Sequence, residues 1–337
     1  MRIDCHTHIF PQQLPPLART TGDERWPAVK LNGDGSIDVM VQGSLYRRIA
    51  ATAYVPSARL AEMDREQVDK HVLMATPITF AYWGDPKATL ELCRFQNDFM
   101  AQFVAADPER FIGFATVPLQ EPALAVEELT RARRELKLAG VELGATVRGL
   151  GLHRSELRPF FKAAMELDCP LFIHPLNEPW AWDERIKSWG MGLTNSMAMP
   201  HETAMSAGAL LLSDLLVQYP DLRICLAHGG GSLAAVLPRM GHQWEMRRGR
   251  GEAVTGVHPM ELARKLWVDN LTYDYEACTL CRARFGGMVL GTDYPFDGRR
   301  ERPPGIMFDQ ALERGAIGSA EVEAIKQHQA LRYLFGR

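Results

Sequence analysis

The chain is expected to fold as an α/β protein, a (β/α)8 TIM barrel with a small β-hairpin insertion after the first strand. Eight short apolar or β-branched runs, at 2–7, 71–76, 111–117, 140–146, 170–174, 223–228, 266–271 and 287–292, read as strands, and helix-patterned stretches separate most of them. Such alternation favours a parallel sheet. Eight units favour closure over an open doubly wound sheet, for which the chain offers no good GxGxxG turn. The third observation is chemical: four of the runs end in metal-competent side chains, in RIDCHTH (His6, His8), CPLFIHP (His174), ICLAHGG (His228) and MVLGTDYP (Asp293). In a closed parallel barrel the carboxyl ends of the strands form the active-site face, so the barrel and the cluster of ligands support one another.

Side chains alternate faces along a strand, so His6 and His8, two apart on the first, point the same way and can hold one ion between them. Residues 11–56 are too many for a simple strand-to-helix connection. Within them VKLNGDGSIDVMVQG shows two alternating runs around a Gly-containing turn, the pattern of a hairpin, and a small β insertion is expected over the barrel mouth. The stretch 57–70 opens on Ser57 as a possible helix cap and sets Leu60, Met63 and Val68 roughly on one face. Further helices are expected near 86–106, 122–138, 155–168, 203–218 and 232–247. The segment 175–202 is rich in Trp, Met and Pro, and its Trp180, Trp182 and Trp189 suit substrate contact as well as lid or subunit packing. Cys278 and Cys281 form a CxxC in a helix-like stretch with neither the second pair of a zinc knuckle nor the setting of a thioredoxin-like motif. The whole of 1–337 reads as a single barrel domain carrying 11–56 as its insertion.

With 337 residues, 46% hydrophobic and 23% charged, the chain has a globular composition and can bury a sizeable core. A net charge of -3 provides no bulk attraction for nucleic acid, and the short run RRGRG fits a solvated loop or a local anion contact. No apolar run reaches membrane-spanning length, and the first strand begins too early to leave room for a signal peptide, so a cytoplasmic protein without membrane partners is expected. Cys5, Cys169 and Cys225 lie in apolar runs, where a reduced thiol packs as a small hydrophobe.

Imidazole and carboxylate together suit zinc, bound at about 2.0–2.1 Å with one position left open in catalytic sites. Iron, cobalt and manganese use the same ligands. The motifs HxH, HP, HGGGS and GTDYPF, at the ends of the first, fifth, sixth and eighth strands, resemble those of the metal-dependent amidohydrolase superfamily. Within it the chain is most similar to the α-amino-β-carboxymuconate-ε-semialdehyde decarboxylase family, nearly end to end, including EMD at 62–64, ATP at 75–77, VPLQ at 117–120 and AMPHET at 198–203.

The resemblance implies one zinc per subunit on His6, His8, His174 and Asp293, with a bound water near His228. The fourth strand end, GVELGATV, lacks the Lys that binuclear members carboxylate, in keeping with one metal. The implied reaction is nonoxidative decarboxylation of 2-amino-3-carboxymuconate 6-semialdehyde or a close analogue, without pyridoxal, thiamin or flavin, in the setting of aromatic or tryptophan catabolism. The catalytic roles fall on His228, as the acid and base, and on Asp293. Substrate contacts fall on Arg47, Arg239, Trp189 and Phe296. Arg48 adjoins Arg47 and keeps the register of that contact open. Arg239 lies eleven positions beyond His228, partly along a helix rising about 1.5 Å per residue, poorly placed to turn back to its own metal. The resemblance sends it into the neighbouring site, so a homodimer is expected. Leu176 and Asn177 after His-Pro, where the better-known decarboxylase has Trp, and the basic DGRRERPPG after Phe296 leave a hydroxybenzoate-type acid as an alternative substrate. A metal-dependent hydrolase or hydratase is the other alternative. An esterase is not, because the chain has no GxSxG.

Overall fold

In the computed structural model, residues 1–176, 188–252, 255–296 and 303–336 are described. Their strands are β1 (Ile3–Ile9), β2 (Ala28–Leu31), β3 (Ile37–Val41), β4 (Ser44–Ile49), β5 (Lys70–Ala75), β6 (Phe111–Ala115), β7 (Gly140–Gly144), β8 (Thr146–Val147), β9 (Leu150–Gly151), β10 (Leu171–His174), β11 (Ile224–Leu226), β12 (Leu266–Asp269) and β13 (Gly287–Val289). Eight of these form one parallel sheet in the order β1-β5-β6-β7-β10-β11-β12-β13. Parallel bridges Asp4 to Leu290 and Thr7 to Tyr294, with Cys5 N–H donating to Leu290 O at 2.8 Å, join its two ends, so the sheet closes into the expected barrel.

Two apolar layers hold it. Ile3, Cys5, Val72, Met74, Phe114, Phe172, Cys225 and Val289 cluster with Ala330, Tyr333 and Leu334 of the carboxyl-terminal helix Gln329–Phe335, whose Tyr333 hydroxyl donates to Leu171 O at 2.8 Å. Leu73, Val141, Leu143, Ile173, Ile224, Leu226 and Val268 join the second cluster, among residues of the surrounding helices such as Leu129, Phe160, Leu210 and Leu237. Adjacent positions of one strand, Phe172 and Ile173, thus serve opposite faces, as the two-residue repeat of a strand requires. β1 departs from that repeat: its register against β5 shifts between Asp4 and Thr7.

Expected and observed helices differ mainly at their ends. The first runs Pro56–Arg65; Pro56 occupies its first turn after Val55, and no side chain caps it, so Ser57 is not the cap. The 155–168 stretch is a 3-10 turn followed by Arg158–Glu166, and 203–218 is divided into Met199–Leu212 and Leu215–Gln218. Leu233–Gly249 follows β11.

The insertion is larger than a hairpin: β2, β3 and β4 make a three-stranded antiparallel sheet. Its third strand, SLYRRI, has no apolar alternation to announce it. Arg48 lies opposite Asp38 on β3 and binds it through Nε at 2.7 Å and Nη2 at 3.0 Å. Ile37, Val39, Val41 and Ile49 cluster with Phe10, Tyr54 and Ile78, and Tyr46 and Phe296 pack against that cluster, which fastens the insertion over the barrel mouth. No described helix is long and apolar enough to cross a membrane.

Candidate metal centre and its cavity

The strand ends bring His6, His8, His174 and Asp293 together, with one ligand atom from each inside a span of 4.8 Å. His6 Nε2 lies 3.2 Å from His8 Nε2, and Asp293 Oδ1 lies 3.0 Å from His8 Nε2 and 3.5 Å from His6 Nε2. What surrounds them decides their tautomers. His6 Nδ1 faces Asp269 Oδ2 at 2.7 Å, His8 Nδ1 faces Ala75 O at 2.9 Å, and His174 Nδ1 faces Pro175 O at 2.8 Å. Each of these oxygens only accepts, so each Nδ1 carries the hydrogen and each Nε2 turns a lone pair inward. Lone pairs 3.2 Å apart repel unless a cation lies between them. His174 Nε2 is buried and has no hydrogen-bond partner among the described residues. A divalent metal suits this donor set, and the acceptors behind the rings fix their orientation as outer partners of metal ligands do.

Electrostatics agree. Burial, then the neighbouring His228, His6 and His8, hold His174 well below the ordinary imidazole pKa, and burial lowers that of His8. Burial opposes a charge on His6 as well, but the Asp269 hydrogen bond and the nearby carboxylates raise it overall. A metal ion would displace that proton. Asp293 is mostly enclosed, and burial alone would raise its pKa, yet the imidazoles of His228, His8 and His6 around it hold it well below the carboxylate range.

The fourth strand end contributes no ligand. Gly144 pairs with His174, and a Cβ there would lie 2.6 Å from the Leu176 side chain and 2.9 Å from that of Tyr82. Below it Glu142 is fully buried, 3.8 Å from His8 Nδ1, and burial, with the Asp293 charge added, drives its pKa up.

His228 stands beside the four ligands. Its Nε2 lies 3.9 Å from Asp293 Oδ2, its ring centroid 5.0 Å from that of His174, and its buried Nδ1 has no hydrogen-bond partner among the described residues. Above the centre opens a cavity of about 670 Å³ lined by His174, His228, Asp293, Arg47, Tyr46 and Phe296 among others. Arg47 lies over the Phe296 ring at 4.8 Å, and that ring is 5.6 Å from His8. Arg47 is thus the arginine of the pair that faces the cavity, while Arg48 is engaged with Asp38. Burial lifts the Tyr46 phenol to about 12, against the pull of Arg47, and keeps it a donor.

Arg239 is exposed on the Leu233–Gly249 helix and Trp189 is 63% exposed; neither lines the cavity of its own chain. Asn177, Trp180 and Trp182 lie outside the described residues, as do 297–302 of the basic stretch after Phe296. Cys278 and Cys281 form no disulfide and donate to Asn270 O and Gly229 O, and burial raises Cys281 to about 11, so Cys281 is not poised as a nucleophile.

The sequence reading missed two features. Asp269, the last residue of β12, braces His6; reading that strand on to 271 hid it as a strand-end acid. His201, within the AMPHET run, lines the cavity beside Ser232, with Nδ1 and Oγ 2.7 Å apart.

A family model described as Amidohydrolase matches residues 3–335. The chain is 34% identical over 315 residues to 2-amino-3-carboxymuconate-6-semialdehyde decarboxylase of Dictyostelium discoideum, covering 93% of this chain and 86% of that one. It is 30% identical to gamma-resorcylate decarboxylase of Rhodococcus jostii, covering 72% of this chain and 78% of the other. Among solved structures, the dihydroxybenzoic acid decarboxylase of Polaromonas sp. JS666, with bound manganese and the inhibitor 2-nitroresorcinol, superposes with a TM-score of 0.76 at 23% identity, over 100% of this chain and 97% of that one.

Proposed function

The chain belongs to the amidohydrolase family, and from that membership and its site we propose that it decarboxylates 2-amino-3-carboxymuconate 6-semialdehyde or a close analogue with one zinc per subunit. It is a carboxy-lyase on an amidohydrolase barrel. The observation that carries the reading is the set of three imidazoles whose Nδ1 atoms are all tied outward, leaving three Nε2 lone pairs and the Asp293 carboxylate to converge on one point.

When bound, the metal supplies Lewis-acid polarisation of an oxygen placed against it. Arg47 offers a guanidinium that can grip a substrate carboxylate through two parallel hydrogen bonds, and stacking on Phe296 restrains it. Departure of carbon dioxide breaks a carbon–carbon bond and leaves its electron pair on the substrate carbon, where a conjugated semialdehyde disperses it. His228 takes up a proton from solvent water beforehand and delivers it to that carbon as the new C–H bond forms, one proton being consumed for each carbon dioxide released; its Nε2 lies 3.9 Å from Asp293 Oδ2, beside the metal ligands. Asp293, held well below the carboxylate range, keeps its negative charge throughout.

A homodimer accounts for Arg239. The Met199–Leu212 and Leu233–Gly249 helices pack together beside the cavity and expose Met205 (61%), Val236 (38%) and Met246 (51%), with Trp189 and Met191 (87%) also exposed. An apolar surface of this kind, with Arg239 on it, suits a second copy that receives the arginine in its own cavity. Six free, buried cysteines fit a reducing, cytoplasmic setting.

A hydroxybenzoate-type acid is the second reading, favoured by the 30% identity to a resorcylate decarboxylase. The deciding experiment measures carbon dioxide from freshly generated 2-amino-3-carboxymuconate 6-semialdehyde and from 2,6-dihydroxybenzoate, with metal-free, zinc-loaded and manganese-loaded protein. Release from the semialdehyde only after zinc loading is expected. Release from the benzoate alone would transfer the activity to the second reading. Substrate consumed without carbon dioxide would point to a hydrolase or hydratase.

A further inference from the structure

We infer that Asp269 is a positioning residue that links the metal ligand His6 to the turn carrying His228, so that filling the metal site orders the proton-transfer residue. The inference rests on the reading that the site holds a divalent metal. Asp269 is fully buried at the end of β12. Its Oδ2 accepts from His6 Nδ1 at 2.7 Å and from the His228 backbone N–H at 2.9 Å. Its Oδ1 accepts from the N–H groups of Gly229 at 2.8 Å and Leu271 at 3.0 Å. A carboxylate has about four lone-pair sites, and here each meets a donor, so none of these bonds has a substitute nearby.

The turn it holds is not one the chain adopts freely. His228 has φ +55°, a left-handed conformation that a residue with a Cβ avoids, and it is followed by Gly229, Gly230 and Gly231, all with positive φ. Asp269 is bonded to the first two amides of that turn. A metal on His6 Nε2 fixes the ring, the ring fixes the carboxylate, and the carboxylate fixes the backbone from which the His228 side chain reaches the cavity.

Asparagine has the same shape and the wrong chemistry. Its amide nitrogen would confront N–H donors on one side. Turned towards His6, it would donate to Nδ1 and stabilise the tautomer protonated on Nε2, the atom the metal needs. Asp269→Asn is therefore expected to weaken zinc binding by about 10- to 100-fold, the usual effect of losing an outer partner of a ligating histidine.

The test is zinc affinity by chelator competition, together with amide hydrogen exchange at residues 228 and 229 in metal-free and zinc-saturated protein. Zinc should slow exchange at both amides in the unaltered chain and leave it nearly unchanged in Asp269→Asn. Unaltered zinc affinity, or an equal slowing in both proteins, overturns the link. Should Asp269→Asn not fold, His6→Gln removes the Nδ1 donor while leaving Asp269 and its backbone bonds in place. At saturating zinc its 228 and 229 amides should no longer respond, and a full response overturns the link. Zinc-dependent slowing in a protein that releases no carbon dioxide would support the link and sink the decarboxylase reading; a chain that binds no zinc or manganese would sink the metal reading and the link with it.

Discussion

At the scale of single residues, substitutions of His228 and Arg47 test the proposed division between chemistry and binding. His228→Ala removes a side chain that is not one of the four metal donors, so metal content should stay at the wild-type level while carbon dioxide release falls by about 10²–10⁴-fold, the range for a lost general acid or base. Metal analysis beside turnover checks both halves, and equal turnover in the variant would remove His228 from the proton path. Arg47→Ala deletes a charge-assisted contact of about 1.5–3 kcal/mol, which should appear as a KM raised roughly 10- to 100-fold. Arg48→Ala should leave KM close to unchanged, because its guanidinium is already bound to Asp38 on the other side of β4. The site was legible where a polar residue ended an apolar run, which is how His6, His8, His174, His228 and Asp293 stood out. The sequence could not separate Arg47 from Arg48, since the face of β4 depends on a strand pairing that breaks register between Val39 and Met40.

At the scale of elements, the turn after β11 meets the Met199–Leu212 helix without room to spare. Gly231 has φ 60° and ψ -132°, and a Cβ on it would stand 1.8 Å from the Pro200 carbonyl oxygen. Gly231→Ala should cost at least about 1–3 kcal/mol in backbone strain. The clash adds to that cost by pushing the helix from the turn that carries His228, so melting temperature and turnover should fall together. Gly249→Ala, at a helix end with nothing within 4 Å of the added carbon, is the matched control and should melt no lower than the parent. A Gly231→Ala protein as stable and active as the parent would mean that the turn and the helix can separate without harm. Barrel strands were legible because burial on both faces makes them apolar runs. β4 was not, because Arg47 and Arg48 sit on a strand whose place is fixed by Asp38 and by the barrel mouth, not by its own pattern.

At the scale of the whole molecule, the question is which chain completes the cavity. Arg239 is exposed and is not among the described residues that line its own chain's cavity, which is why we propose that it serves a neighbour's. Two lesions then test the arrangement. If Arg239 serves the neighbouring site as proposed, His228→Ala should disable the site of the chain that carries it, and Arg239→Ala that of its partner. Each homodimer should be nearly inactive. In a mixed dimer the His228→Ala chain donates an intact Arg239 to a site whose own His228 is intact, and that one site works. Random pairing of equal amounts makes half the dimers mixed, each with one working site of two, so co-expression should recover about a quarter of wild-type activity. Activity no greater than the sum of the two variants, with mixed dimers shown to form, would place Arg239 outside the neighbour's chemistry. A fully active Arg239→Ala homodimer would leave the arginine as an ordinary surface charge of little energetic weight.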